Sequence, residues 1–410
     1  MMPEQNVTPE ISTHDADRRT FLAQLVGVAG LFSISLPLDT FASVQHEKAK
    51  ILPLSVSPYL QNLHDTGVSV MVIEPSDSVT WIEVDDGRQV RKIMNSKDGF
   101  FEAGKGVKRF DVDGLLPGRN YRYTVFRRAI PAFTPYNLKL DDTTQSIAYS
   151  FSTPHRDSDE LSCVVLNDIH DRPDSFKDLI SLQKKPYEFV FLNGDIFDFQ
   201  TDEQQLIDHL IHPVTALFAA EKPFVMVRGN HETRGKYARA FKDYFAYPED
   251  EYFFTFQRGP VNFIVLDTGE DKPDTDPAYA GLVAFDPLRE RQARWLDKAL
   301  KSKVARRSPF NVVIMHIPPY HSGDWHGTMH CRKLFAPLFE EYKVDAVISG
   351  HTHRHGIHRP QADHSFPIVI GGGPKKGERT LIHLEASRSA MRISLHGEDG
   401  SEIDSLEVSV

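Results

Sequence analysis

Six short apolar runs, each stopping abruptly at polar residues, constrain this chain more than any other feature. They are "CVVLNDIH", "EFVFLNGDIFD", "PFVMVRGNHE", "VNFIVLDTG", "NVVIMHIPPY" and "DAVISGHTH", in that order between residues 160 and 355. A run of consecutive apolar residues too short for a helix reads as a strand covered on both faces. Between several of them lie segments whose apolar residues recur every three or four positions: "DEQQLIDHLIHPVTALFAA", "PLRERQARWLDKALKS" and "CRKLFAPLFEEYK". That period belongs to helices with one buried face. Strands alternating with helices predict an α/β layer, in which the loops beyond the carboxyl ends of the strands converge. The polar clusters closing the six runs are therefore expected to meet in space. Beyond them, "RTLIHLEA", "AMRISLHG" and "DSLEVSV" read as three further strands closing a sheet.

The region before residue 160 has a different grammar. Over 50–153, "GVSVMVIEP", "SVTWIEVDDG" and "YRYTVFRRA" concentrate β-branched and aromatic residues, with Gly, Asp and Pro between them. No helical period is present. An all-β sandwich is the expected fold, and 410 residues suffice for two cores. Earlier still, Arg18-Arg19 precede Phe21-Leu22 and an apolar stretch reaching Leu38. This pattern is similar to a twin-arginine export signal, with cleavage expected after Ala42. Residues 1–42 are accordingly set apart from the fold, and a periplasmic location is expected. An uncleaved signal anchoring the chain to the membrane is the alternative; after cleavage no stable membrane insertion is expected.

The net charge of −10 argues against a general affinity for nucleic acid or anionic membranes. It leaves room for a small phosphorylated substrate, because a bound metal ion reverses the local field. Two cysteines, Cys163 and Cys331, are too few for a disulfide scaffold and are expected to be unpaired. Oligomeric state is not readable from the sequence.

The strand ends supply carboxylates, imidazoles and one amide. Asp168-Ile169-His170 comes first, followed by Gly194-Asp195 with Asp198 three residues on. Gly229-Asn230-His231-Glu232 is next, then His316, then Gly350-His351-Thr352-His353. These are ligands for first-row divalent metals, and no thiolate is among them. "HETRG" and "HEKAK" lack a second histidine four residues on, which excludes a His-Glu-x-x-His zinc peptidase.

Taken in order, these pieces resemble the calcineurin-like metallophosphoesterase superfamily over most of residues 160–355. In the first region "SPYLQN", "DGLLPGRNYRYTV" and "YSFSTP" resemble the fibronectin type III-like amino-terminal domain of purple acid phosphatases. The resemblance implies a β-sandwich over 50–153 and, over 160–410, an α/β metallophosphoesterase domain with a two-sheet β core flanked by helices. It implies that Asp168, His170 and His353 bind one divalent ion and Asn230, His316 and His351 a second, with Asp195 bridging them. The ions would be Mn, Zn, Fe or Ni and would share a hydroxide nucleophile. His231 would protonate the leaving group, paired with the carboxylate of Asp198. Purple acid phosphatases carry a tyrosine where this chain has Asp198, and they lack a counterpart of His170; a colourless protein is expected. Arg172, Tyr320, His321 and His326 follow the metal motifs on loops and are candidate substrate contacts. Arg228 and Glu232 read as supports.

The expected activity is hydrolysis of a phosphate ester, a monoester in preference to a diester or nucleotide. A catalytically inactive binding module is the reading from another class.

Overall fold

The computed structural model describes residues 49–410 apart from Pro53; the expected export signal lies outside the described residues. Among the described residues, nothing helical occurs before residue 174. The principal strands of the first region are β1 (Tyr59–His64), β2 (Gly67–Asp85), β3 (Ala103–Asp113) and β4 (Asn120–Ala129). The sequence suggests two strands over 67–85, but the chain runs through as one. Pro75, Ser76 and Asp77 are exposed, and the register shifts between Glu74 and Ser78. The proline therefore produces a bulge in place of a break. Gly67–Glu74 pairs with β3 and Ser78–Asp85 with β4, so one strand serves two halves of an eight-stranded sheet. Val70 and Val72 from the first half share a core with Ile82 and Val84 from the second.

The first half of β2 is buried on both faces for a second reason. Met71 and Ile73 point away from Val70 and Val72 and join the core of the α/β region. Three hydrogen bonds secure the polar groups this contact buries: Tyr59 Oη donates to the Tyr244 carbonyl (2.8 Å), Gln61 Nε2 to that of Phe224 (2.9 Å) and Tyr123 Oη to that of Ala220 (2.6 Å).

Two six-stranded sheets build the α/β region. The first contains β5 (Glu160–Leu166), β6 (Phe189–Asn193) and β7 (Phe224–Val227), mutually parallel. The second contains β8 (Phe254–Arg258), β9 (Val261–Leu266), β10 (Phe310–Met315), β11 (Ala346–Ser349), β12 (Gly356–His358) and β13 (Ile368–Ile370), with β9, β10, β11 and β13 parallel. Strands β14 (Thr380–Ser387), β15 (Ala390–Gly397) and β16 (Glu402–Ser409) complete the first sheet as an antiparallel meander beside β5. The sheets meet face to face through aromatic contacts such as Phe191 on Phe263, 5.1 Å between centroids.

Helices cover the outer faces. α1 (Asp174–Ile180) and the helical run 203–219, α2, lie on the first sheet through Phe176, Leu206 and Leu210. α3 (Phe285–Leu300) and α4 (His326–Glu341) lie on the second through Leu296, Phe335 and Phe339. α2 is expected to be a regular α-helix, yet π turns occupy 207–211 and 215–219 on either side of Pro213. Proline has no N–H to donate, and the carbonyls it leaves free are accommodated by widened turns. Cys163 and Cys331 are both buried and unpaired, one in β5 and one in α4.

Candidate metal centre

The carboxyl ends of five parallel strands open on one side of the two sheets, and each delivers one cluster. Asp168 and His170 follow β5, Asp195 follows β6, Asn230 follows β7, His316 follows β10, and His351 and His353 follow β11. Backbone hydrogen bonds tie these loops together: His170 N donates to Asp195 O, and Gly350 N to His316 O, both at 3.0 Å. A Cβ on Gly350 would lie 2.4 Å from an Asp168 carboxylate oxygen, so only glycine permits that approach.

Backbone conformation marks the site independently. Asp168, His170, Asp195, His351 and His353 all have positive φ, between 49° and 72°. The left-handed region costs a residue other than glycine roughly 1 kcal/mol or more. Five such residues converging on one point indicate strain kept for the sake of where the side chains are aimed.

Those side chains form two groups. Asp168, His170 and His353 converge, with His170 Nε2 3.0 Å from His353 Nε2 and His353 Nε2 3.3 Å from Asp168 Oδ1. Asp195, His316 and His351 form the second, and His351 Nδ1 lies 3.0 Å from Asn230 Oδ1. Asp195 joins them: its Oδ2 is 2.9 Å from His316 Nε2 and 3.8 Å from His170 Nε2. All seven residues that the resemblance implies as ligands thus stand in one constellation.

The donor set fits divalent cations on its own geometry. His316 Nδ1 donates to the Asn193 carbonyl at 2.7 Å, which leaves Nε2 facing Asp195 out of line for a hydrogen bond. Asp168 Oδ1 is also buried without a hydrogen-bond partner. Buried atoms of this kind are costly unless a cation takes their lone pairs. The acidity of the groups expresses the same demand. Burial alone would lower the pKa of His170 and His316, yet the carboxylates of Asp168 and Asp195 raise them to about 9 and about 10. Burial likewise works to raise Asp195, and His316 outweighs it, holding the carboxyl at about 2. His351, next to His316 in the more buried group, is depressed to about 4, chiefly by burial, and presents a neutral ring.

Glu232 supports the centre from beneath, as its sequence position suggests. Its carboxylate accepts from the backbone N–H groups of Asp195 (2.8 Å), Ile196 (2.7 Å) and Gly229 (2.8 Å), clamping two ligand loops. Arg228 is spent on Asp267 and lies over the Tyr252 ring, 4.1 Å from its centroid.

The expected Asp198–His231 carboxylate pair is not formed. The Asp198 carboxylate is 2.8 Å from His170 Nδ1, and it is the Asp198 backbone carbonyl that accepts from His231 Nδ1, at 2.7 Å. The turn after β6 directs the Asp198 side chain toward β5 and its carbonyl toward β7, a distinction invisible in a residue list. Asp202 caps α2, accepting from Gln205 N. His231 Nε2 faces Arg234 Nη1 at 2.9 Å and lies 3.9 Å from Asp195 Oδ2. Burial, with Arg234 alongside, holds the His231 pKa below its ordinary value in spite of Asp195.

Arg234 was not singled out by the sequence, although "HETR" places it three residues after His231, one turn on along a 3-10 helix. Glu270 anchors it (2.6 Å), with Asp271 at 3.6 Å. The four candidate substrate contacts have partners within the chain. Arg172 donates to the backbone carbonyl of His170 (2.6 Å). Tyr320 packs on His364 and Arg332, and His321 stacks on His358 with centroids 3.7 Å apart. His326 bonds Asp286.

With this geometry in view, residues 161–355 match the family model described as calcineurin-like phosphoesterase. Among curated proteins the chain is similar to purple acid phosphatase 1 of Ipomoea batatas, 28% identical over 212 residues, covering 43% of this chain and 42% of that protein. It is 26% identical over 215 residues to a purple acid phosphatase of Glycine max, covering 43% of each. The matches thus span less than half the length of these two relatives. Among solved structures, purple acid phosphatase PPD1 from yellow lupin (Lupinus luteus) seeds superposes with a TM-score of 0.66 at 16% identity, over 86% of this chain and 74% of that one. PhoD superposes at 0.59 and 13% identity, over 88% and 91%. Both likenesses concern the fold.

Proposed function

We propose that residues 161–355, which match the calcineurin-like phosphoesterase model, make the chain a hydrolase of phosphate monoesters that works with two divalent ions. The observation that carries this reading is the pair of converging Asp/His groups joined through Asp195. In it Asp168, His170 and His353 would hold one ion and Asn230, His316 and His351 the other, with Asp195 between the two groups. Bound there, divalent ions would neutralise charge on the phosphoryl oxygens and lower the pKa of coordinated water.

The protein's own groups do the rest. The Asp198 carbonyl accepts from His231 Nδ1, which leaves Nε2 as the nitrogen that gains and gives a proton: one taken up from solvent makes the imidazolium, and Nε2 then delivers it to the departing alkoxide. Arg234, beside that nitrogen, offsets negative charge on the phosphoryl group and keeps His231 acidic. The Asp198 carboxylate orients the His170 ring and raises its basicity as a ligand. Glu232 holds Asp195 where both ions can share it.

The test is metal content and rate, measured together on p-nitrophenyl phosphate, bis-p-nitrophenyl phosphate and an alkyl phosphate. Activity should appear with Mn or Zn, vanish with chelator and favour the monoesters. His231→Asn should retain its metals and lose roughly 10²-fold or more on the alkyl ester, with a smaller loss on p-nitrophenyl phosphate, whose leaving group needs no proton. A preference for the diester would move the reading to a phosphodiesterase. No hydrolysis of any ester by the metal-loaded protein would end it in favour of a binding role. The purified protein should be colourless, because Asp198 stands where a tyrosinate would have to bind ferric iron. Export through the twin-arginine route belongs to the same proposal: replacing Arg18 and Arg19 with lysine should leave precursor in the cytoplasm, and unchanged export would refute that route.

A further inference from the structure

A second histidine–carboxylate cluster lies outside the centre described above, where the first turns of α3 and α4 meet. His326 and His330 are four residues apart on α4 and therefore share a face. Both rings are turned to Asp286, in the first turn of α3. His326 Nε2 lies 2.8 Å from Asp286 Oδ1 and 2.9 Å from Oδ2. His330 Nδ1 lies 2.9 Å from Oδ1, yet this buried nitrogen has no hydrogen-bond partner. An imidazole nitrogen at contact distance from a carboxylate, out of line for a hydrogen bond, is arranged as a ligand is.

We propose that Asp286, His326 and His330 bind a third divalent cation, one of the zinc class, structural in character and separate from the Asp195 centre. Two imidazoles and one carboxylate form a borderline nitrogen–oxygen set, which favours Zn, Co or Ni over Mg or Ca. Burial holds the pKa of His330 below its ordinary value, so its ring offers a lone pair at neutral pH. Arg289 also faces Asp286, donating to Oδ1 at 2.8 Å. Its guanidinium is held in turn by the carbonyls of Thr268 (2.8 Å) and Glu270, so it positions the carboxylate and leaves Oδ2 turned to His326. Such a fixed outer partner is usual for a metal-binding carboxylate.

The position gives the ion a task. Gly327 N donates to the Asp271 carbonyl at 2.8 Å, so the first turn of α4 is already tied to the loop that joins β9 to α3. Glu270 in that loop anchors Arg234, which touches His231. A cation joining Asp286 to His326 and His330 would lock α3, α4 and this loop as one unit. The inference does not depend on phosphoester hydrolysis, because its readout is stoichiometry.

The experiment is to strip the full chain with chelator, equilibrate it with Zn(II) by dialysis and count bound zinc by mass spectrometry. His330→Gln should hold one zinc per chain fewer than wild type. In a chain whose main centre is crippled by Asp195→Asn and His316→Asn, His330→Gln should remove one zinc more. Bound Co(II) should show the loss as a fall in visible absorbance. Circular dichroism checks folding; should His330→Gln not fold, His326→Gln, at the outer edge of the cluster, is read in its place. Equal zinc in wild type and the folded variant would overturn the site and leave a hydrogen-bonded cluster only.

Discussion

The two halves of the candidate metal centre have similar donors and different surroundings. Asp195 and His316 are buried, and His316 Nδ1 is locked to the Asn193 carbonyl at the end of β6, in the other sheet. His353 is exposed, and its partner His170 is held by Asp198, itself exposed. Asp168 and His170 are buried as well, so the contrast lies between His316, built into the core's polar architecture, and His353, which stands at the mouth. The difference teaches that removing a ligand should damage the fold on one side and chiefly the metal on the other.

The largest effect that would sharpen this contrast is expected from Asp195→Asn, which removes the shared carboxylate. Turnover of p-nitrophenyl phosphate should fall about 10³-fold or more, with loss of zinc from both halves. Next is the pair His316→Asn and His353→Asn. The first leaves Asp195 and the Asn193 carbonyl buried without partners and should destabilise the protein by about 2–4 kcal/mol in urea unfolding. The second should leave stability nearly unchanged and weaken one metal site. Equal destabilisation by both would break the comparison. Asp198→Asn should be milder still, reducing affinity for the ion at His170 by about 10–100-fold while the other half keeps its metal, as competition with a chelator would register.

The smallest expected effect is one of pH. In chelated protein, His170 and His316 have pKa values raised to about 9 and about 10. Each stabilises the fold fully below the ordinary imidazole value near 6.5, and that contribution is lost as pH climbs through 9 to 10. Asp195, depressed to about 2, contributes above the ordinary carboxylate value near 4 and loses its contribution as pH falls. The melting temperature of chelated protein should therefore decline between pH 6.5 and 10, whereas zinc-loaded protein, whose imidazoles hold metal in place of protons, should not follow it. Parallel profiles would show that these histidines do not hold the metal.

Much of the α/β region was legible because its strands are covered on both faces. Runs such as "VNFIVLDTG" have few ways to be satisfied except as interior strands with a polar loop at the end. The polar inventory at the strand ends was legible for the same reason, since parallel strands deliver their carboxyl ends to one side; singling out seven of its residues as ligands rested on the resemblance to calcineurin-like metallophosphoesterases. The four histidines of "HTHRHGIH" could not be sorted by their spacing. His351 and His353 enter different groups, and His358 stacks on His321 outside both. Which way Asp198 turns, that Arg234 reaches His231, and that His326 bonds Asp286 likewise depend on loop paths.

The sequence by itself determined the alternation of interior strands and helices, the strand-ended regions on either side of residue 155, and the chemical inventory at the strand ends. Periodicity and composition are local, and burial on one face or two leaves a local mark. Only the tertiary structure decided which oxygen of Asp198 meets which histidine, how one bent strand serves two half-sheets, and that a distant pair of helix ends brings Asp286 to His326 and His330. Those outcomes depend on positive-φ turns and on contacts between residues far apart in the chain, set by the packing of whole elements. No window of neighbouring residues contains that information.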